Sequence, residues 1–255
     1  MPDETAEGRR RRVGLIVPSS NVTMEHEVPA MLRQVDAVSF SFHASRMTMR
    51  SVSPTELAAM NAQGERCVDE LADARCDVLA YACLVAVMAQ GPGAHRRIEG
   101  ELQQAARARG FDAPLVSSAG ALVDTIARLG ADRVAIVTPY VPSLTEAVVR
   151  YLAAERIAVT DQRSLGIPDN YEVGCIPGNR VQSAVAELDL SGADLLVLSA
   201  CVQMPSLDII GAVEARTGLP VITAATCTAA AILHSQGIDP AAVPGAAAGA
   251  WSIAA

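Results

Sequence analysis

Short, unbroken apolar runs recur along this chain, each following a charged residue: VGLIVP after Arg12, VLAYA after Asp77, VAIVT after Arg133 and LLVLS after Asp194. Runs of this kind read as strands buried on both faces of a parallel sheet, whereas a half-solvated strand alternates apolar and polar. Longer segments with apolar residues at helical spacing separate them. The first half is expected to run strand (13–17), helix, strand (37–43), helix (54–74), strand (77–82), helix (94–109), strand (114–117). The second repeats the order: strand (133–138), helix (144–154), strand (157–164), helix (179–188), strand (194–199), helix (205–217), strand (220–224). This alternation predicts an α/β fold.

Helix ends carry recognisable signals. Ser53-Pro54-Thr55-Glu56 offers an N-cap serine, a proline at the first helical position and a glutamate three residues on, a capping box. Ser143-Leu144-Thr145-Glu146 repeats the box without the proline. Pro29, within NVTMEHEVPAMLRQ, would cost about 3 kcal/mol in a helix interior, so the first helix is expected to start near Pro29 or kink there.

The two halves match in detail as well as in order. RVGLIVP and DRVAIVTP are equivalent first strands, with Pro18 and Pro139 121 residues apart. GFDAPLVSSAGALVDTIARLG and TGLPVITAATCTAAAILHSQG match as closing strand plus long helix. A repeat this long exceeds a solenoid unit and signals two similar lobes. Each lobe is expected to hold a parallel four-stranded sheet flanked by helices, with a cleft between the two. The first spans 1–120, completed by part of 225–255, and the second spans 121–224.

Cys83 ends one buried strand and Cys201 its counterpart, 118 residues on, each preceded by alanine. Ligands of parallel α/β sheets bind beyond the carboxyl ends of strands, so the pair predicts one cleft with a sulfur on each wall. Four loops should reach the same edge: Pro18-Ser19-Ser20-Asn21, Thr138-Pro139-Tyr140, the segment Ser45 to Arg50, and Pro168-Asp169-Asn170-Tyr171. Their hydroxyls, carboxamides and turn amides suit a small anion without fixed positive charge. Asn21, Tyr140 and Asn170 stand out because they fall at matching strand ends.

Composition narrows the choices. The 255 residues are 51% hydrophobic but only 3% aromatic, so the core must be aliphatic. A net charge of -8 argues against nucleic acid or an anionic membrane as partner. The basic run Arg9 to Arg12 precedes only a short strand, too short for a signal peptide or a membrane span. The weakly polar stretch from Val221 to Leu233 reads as a buried strand and helix, and the Ala-rich tail from Pro240 to Ala255 is compositionally odd. Six cysteines without a secretory signal or CxxC, and four scattered histidines, imply reduced thiols, a cytoplasmic protein and no zinc site. Cys67, Cys76, Cys175 and Cys227 read as small buried hydrophobes. No metal, flavin, nicotinamide or pyridoxal motif is present, so the chemistry is expected to be cofactor-free. On these residues alone, an enzyme and a non-catalytic small-anion-binding protein both remain open.

The duplicated lobe with a cysteine at each third strand resembles the aspartate/glutamate racemase superfamily. The loops PSSN, YACLVAVM, TPYVPS, IPDN and LSACVQMPS resemble, within it, the maleate cis-trans isomerases, over Val13 to about His234. Racemases commonly place Asn-Thr after the cysteines to hold the amino acid. The followers here are Leu84-Val85 and Val202-Gln203, which points away from an ammonium-bearing substrate. Arylmalonate decarboxylases of the same fold typically lack the first cysteine, and this chain keeps both. The resemblance implies cofactor-independent isomerisation of maleate to fumarate through a succinyl-cysteine-like adduct. It implies Cys83 as nucleophile and Cys201 as proton partner, and Asn21, Tyr140 and Asn170 as carboxylate ligands. Leu84, Val85 and Val202 would line the substrate, and the protein would be a homodimer.

Overall fold

The computed structural model describes residues 10–36 and 38–240. Arg9 of the basic run, Ala37 at the head of the expected second strand, and 241–255 of the Ala-rich tail lie outside the described residues. The first sheet comprises β1 (Arg11–Pro18), β2 (Phe40–Met47), β3 (Val78–Tyr81) and β4 (Leu115–Ser117), in the order β2-β1-β3-β4. The second comprises β5 (Arg133–Thr138), β6 (Ala158–Ser164), β7 (Leu195–Ser199) and β8 (Val221–Thr223), in the matching order β6-β5-β7-β8. Every strand pair is parallel. The two lobes expected from the repeat are thus built alike, and the unbroken apolar runs are their inner strands.

Helices connect the strands: α1 (Met24–Leu32), α2 (Pro54–Asn61), α3 (Gly64–Asp73), α4 (Leu84–Met88), α5 (Ala94–Ala108) and α6 (Ser118–Arg128) in the first half. The second half carries α7 (Pro142–Ala154), α8 (Asn170–Gly174), α9 (Gly178–Ala186), α10 (Ile210–Thr217) and α11 (Ala224–Ser235). Helix α11 is apolar on nearly every side because it packs against α6 and α1 and touches both sheets. Among the described residues no helix is long and apolar enough to cross a membrane.

Several local expectations need correction, each for a physical reason. Strand β2 begins at Phe40 and runs on to Met47, because its whole length pairs with β1 from Arg11↔Phe40 to Pro18↔Met47. Its polar residues Ser45 and Arg46 hid that extension. The helix expected over 54–74 breaks at Ala62 and Gln63. The break leaves Asn61 accepting from the Tyr81 hydroxyl and donating to the Ala86 carbonyl at 3.0 Å. Helix α1 begins at Met24 and continues through Pro29 rather than starting there. Ser143 caps nothing: Val141 is the N-cap of α7, and Pro142 supplies the first helical residue with its φ already set. Ser53 does cap α2, accepting from the Glu56 N–H at 3.3 Å. The Glu56 carboxylate, however, reaches back to the N–H groups of Arg50 and Ser51 rather than to the cap. The segment 205–217 opens as a short 3-10 turn over Leu207–Ile209 before α10 starts.

That last change ties the lobes together. Glu27, buried on α1, accepts from the N–H groups of Ser206 (2.7 Å) and Leu207 (2.9 Å) across the interface. A second seam joins the segment before α8 to the first lobe, through Val52 N–H to the Pro168 carbonyl (2.9 Å) and Asn170 N–H to the Arg50 carbonyl (3.1 Å).

Candidate active site

The equivalence of the cysteines begins in the backbone before them. Ala82 N–H donates to the Ile16 carbonyl at 2.8 Å, and Ala200 N–H to the Val137 carbonyl at 3.1 Å. Ile16 and Val137 hold the same place in their strands, two residues before Pro18 and Pro139. Each third strand therefore stays zipped to its central neighbour up to the alanine and releases the chain at the cysteine. Beyond that point the lobes differ. Cys83 occupies the N-cap position of α4, whereas Cys201 lies in a turn. The short apolar LVAVM of α4 could not be told from strand by periodicity.

Both cysteines face one small cavity of about 10 Å³, room for about one water molecule. Asn21, Tyr140, Asn170, Leu84, Val85 and Val202 line it too, so the structure gathers all the residues singled out from the sequence. Gln203 lines it as well.

The polar groups around the cavity are donors. Asn21 is fully buried, and its Oδ1 accepts from the N–H groups of Thr23 (3.0 Å) and Met24 (2.9 Å), an Asx turn that launches α1. Its Nδ2 is buried with no hydrogen-bond partner. A carboxamide nitrogen in that condition is costly unless something arrives to accept from it. Asn170 Nδ2 donates to Ser20 Oγ at 2.8 Å, and Ser20 Oγ donates to the Met49 carbonyl at 2.7 Å. The Tyr140 hydroxyl donates to the Ala200 carbonyl at 3.1 Å and lies against the Cys201 sulfur. Among the described residues no arginine lines the cavity. Arg46 stands one layer behind, donating to the carbonyls of Ser19 and Asn21 while paired with Glu25. It braces the loop without presenting charge to the site.

The sulfurs differ in their surroundings. Burial pushes the Cys83 thiol up to about 12; the Ala86 N–H opposes the rise and the Cys201 sulfur adds to it. Burial also raises Cys201, against the Tyr140 hydroxyl and the N–H groups of Gln203 and Met204. The Gln203 N–H stands 3.4 Å from the sulfur. The turn after Cys201 thus aims several donors at its sulfur, as oxyanion-type sites do with developing charge. The backbone donors that face the two sulfurs are the N–H groups of residues 86, 203 and 204.

Cys67, Cys76 and Cys227 are buried away from the cavity, whereas Cys175, expected to be buried, is exposed because it ends the short surface helix α8. Among the described residues no three His, Cys, Asp or Glu side chains are grouped as metal ligands. The arrangement supplies two thiols across a cavity ringed by neutral donors. Chemically, it suits addition of one thiol to an electron-poor carbon of an anionic molecule, with the other moving a proton.

Comparison with known proteins narrows that chemistry. Residues 13–250 match the arylmalonate decarboxylase family model. A maleate isomerase of Nocardia farcinica is 54% identical over 92% of this chain and 94% of its own. A structure of a Nocardia farcinica maleate cis-trans isomerase, a cysteine-to-serine variant with a covalently bound succinylcysteine intermediate, superposes with a TM-score of 0.94. It is 51% identical and covers 96% of this chain and 100% of that one. The maleate isomerase Iso of Pseudomonas putida S16, as a cysteine-to-alanine variant with maleate, has a TM-score of 0.92 at 45% identity, covering 95% and 98% of the two chains.

Proposed function

Since this chain belongs to the arylmalonate decarboxylase family and, within it, to the maleate isomerases, we propose that the cavity between Cys83 and Cys201 is where it turns maleate into fumarate. The protein is an enzyme, a maleate cis-trans isomerase acting through a covalent cysteine intermediate. Cys83 is the nucleophile and Cys201 the proton partner. The Cys83 thiolate forms a bond to one alkene carbon, and the displaced π electrons move to its neighbour, stabilised through the adjoining carboxylate. Cys201 gives that neighbouring carbon a proton. The central bond is now single and turns. Cys201 then takes a proton back, the C–S electrons return to the sulfur and fumarate leaves. Atoms and electrons are unchanged overall, which supports a cofactor-independent reaction.

Ionisation sets the main energetic demand. Burial holds the Cys83 thiol up at about 12, so the thiol form dominates at pH 7. The reacting form therefore has to be prepared as the site fills, with the thiol pair carrying one proton between them. Two carboxylates add negative charge beside the sulfur, so neutral donors must take it up. Asn21 Nδ2, Asn170 and the Tyr140 hydroxyl are assigned to the carboxylates, and Leu84, Val85 and Val202 to the hydrocarbon between them. The buried, unpartnered Nδ2 of Asn21 beside the cysteine pair carries this assignment. A site without acceptors for an ammonium group disfavours amino acids, since an unpaired buried charge costs several kcal/mol.

The finer setting follows from the same reading. Two free thiols across one cavity suit a reducing compartment, which supports a cytoplasmic enzyme. By the family resemblance it acts as a homodimer. The lobes divide at 120/121, within α6, with part of 225–255 returning to the first, a reading supported by the packing of α11 on α1.

One experiment tests the assignment. The chelator-treated protein is incubated separately with maleate, aspartate and glutamate, products are followed by NMR, and Cys201→Ala is analysed by intact mass with maleate. Fumarate from the wild type, no racemised amino acid, and one maleate added at Cys83 in the variant are expected. Racemised aspartate beside unchanged maleate, or an adduct mapped to another cysteine, overturns it.

A further inference from the structure

Gln203 follows Cys201 by two residues and is only 1% exposed. Its side chain offers two N–H groups and one carbonyl oxygen, and all three find backbone partners, two in the loop after β1 and one at the start of α8. Nε2 donates to the Ser20 carbonyl at 3.0 Å and to the Asn170 carbonyl at 2.8 Å. Oε1 accepts from the Val22 N–H at 2.9 Å. The backbone joins in: the Gln203 carbonyl accepts from Thr23 Oγ1 at 2.7 Å, and its N–H faces the Cys201 sulfur at 3.4 Å. One residue therefore bonds to the segments on both sides of Asn21, to Asn170 itself and to Cys201. These segments come from both lobes.

The carboxamide lines the cavity, yet both of its donors and its acceptor are spent on backbone. It has nothing left to hold a carboxylate. The geometry points to Gln203 as a positioning residue for the isomerisation: its carboxamide holds Asn21 and Asn170 in register with Cys201, so the carboxylate donors and the proton partner meet the substrate as one unit. This rests on the reading of the cavity as the maleate site. Gly174 supports the assignment independently. A Cβ there would lie 2.7 Å from Gln203 Nε2 and 2.7 Å from Val22 Cγ2, so the α8 backbone packs directly on the amide. A side chain at that position would push on the same three-way junction.

The test uses Gln203→Met, which keeps the length and loses all three bonds, and Gln203→Glu, which keeps the acceptor for Val22 N–H and loses the amide donors. Both are measured for kcat/KM on maleate across pH, beside the wild type, with circular dichroism and thermal melting to confirm folding. Gln203→Met is expected to lose at least tenfold in kcat/KM at every pH. In Gln203→Glu an ionised carboxylate faces two carbonyls, while its protonated form regains one O–H donor. Its ratio to wild type should therefore be highest at low pH and fall as pH rises through that carboxyl's pKa. A purely structural role would not produce this pH-dependent rescue. A kcat/KM within twofold of wild type for folded Gln203→Met overturns the inference, as does a pH-independent ratio for Gln203→Glu. If Gln203→Met does not fold, the Gln203→Glu profile decides. Absence of turnover in the wild type would instead remove the functional reading beneath it.

Discussion

Asn21 performs two tasks with two ends of one carboxamide, and substitution can separate them. Its Oδ1 holds the N–H groups that open α1, at 3.0 and 2.9 Å, while its Nδ2 is buried and unpartnered. Asn21→Ala removes both. Losing the cap costs about 0.5–2 kcal/mol of stability. Losing a hydrogen bond to a carboxylate costs about 1.5–3 kcal/mol of binding, or roughly ten- to a hundredfold in kcat/KM at about 1.4 kcal/mol per factor of ten. Asn21→Asp retains an oxygen for the cap at the positive end of α1 and puts a second oxygen in place of the donor. Two unit charges about 4 Å apart repel by about 4 kcal/mol at an effective dielectric near 20. That variant should therefore melt close to wild type and yet be the less active of the two. Urea midpoints report the cap, and initial rates of fumarate formation at pH 8 report the donor. Asn21→Ala within twofold of wild-type kcat/KM, or Asn21→Asp more active than Asn21→Ala, would refute the reasoning.

Two further outcomes concern stability. Burial holds the Cys76 thiol up at about 11 and those of Cys83 and Cys227 up at about 12. Above pH about 9 the unfolded chain sheds protons that the folded one retains, so stability should fall from there towards pH about 11–12. The slope is at most about 1.4 kcal/mol per pH unit for each thiol; a urea midpoint unchanged between pH 8 and 10.5 would contradict it. Glu27→Ala strands the buried N–H groups of Ser206 and Leu207, at about 1–3 kcal/mol for each unsatisfied group, and should lower the urea midpoint; an unchanged midpoint would show that the interlobe contact contributes nothing.

Much of this protein is determined locally, and local determination is what a sequence can display. The inner strands are solvent-free on both faces, so Val, Leu and Ile crowd them without a break, and β1, β3, β5 and β7 could be read off directly. The repeat revealed that Cys83 and Cys201 occupy equivalent places, because the same strand geometry imposes the same run of residues before each. Other features depend on partners distant in the chain. Edge strand β2 keeps going through Ser45 and Arg46 because β1 offers it hydrogen bonds to the end, a fact no residue in β2 announces. Ser143 looks like a cap, but Pro142 starts the helix first. The turn at Ser206 is held by Glu27, 179 residues away. Gln203 was the clearest case. In sequence it was simply the residue two beyond Cys201, in a position where polar followers were expected to matter only for an ammonium group. Only folding brings Ser20, Val22 and Asn170 around its carboxamide, since the first two lie in the loop after β1 and the third opens α8, about 150 residues on. The strands and the paired sulfurs were local properties of the chain; the shared cavity and the bonds that hold its walls together arose when two lobes met.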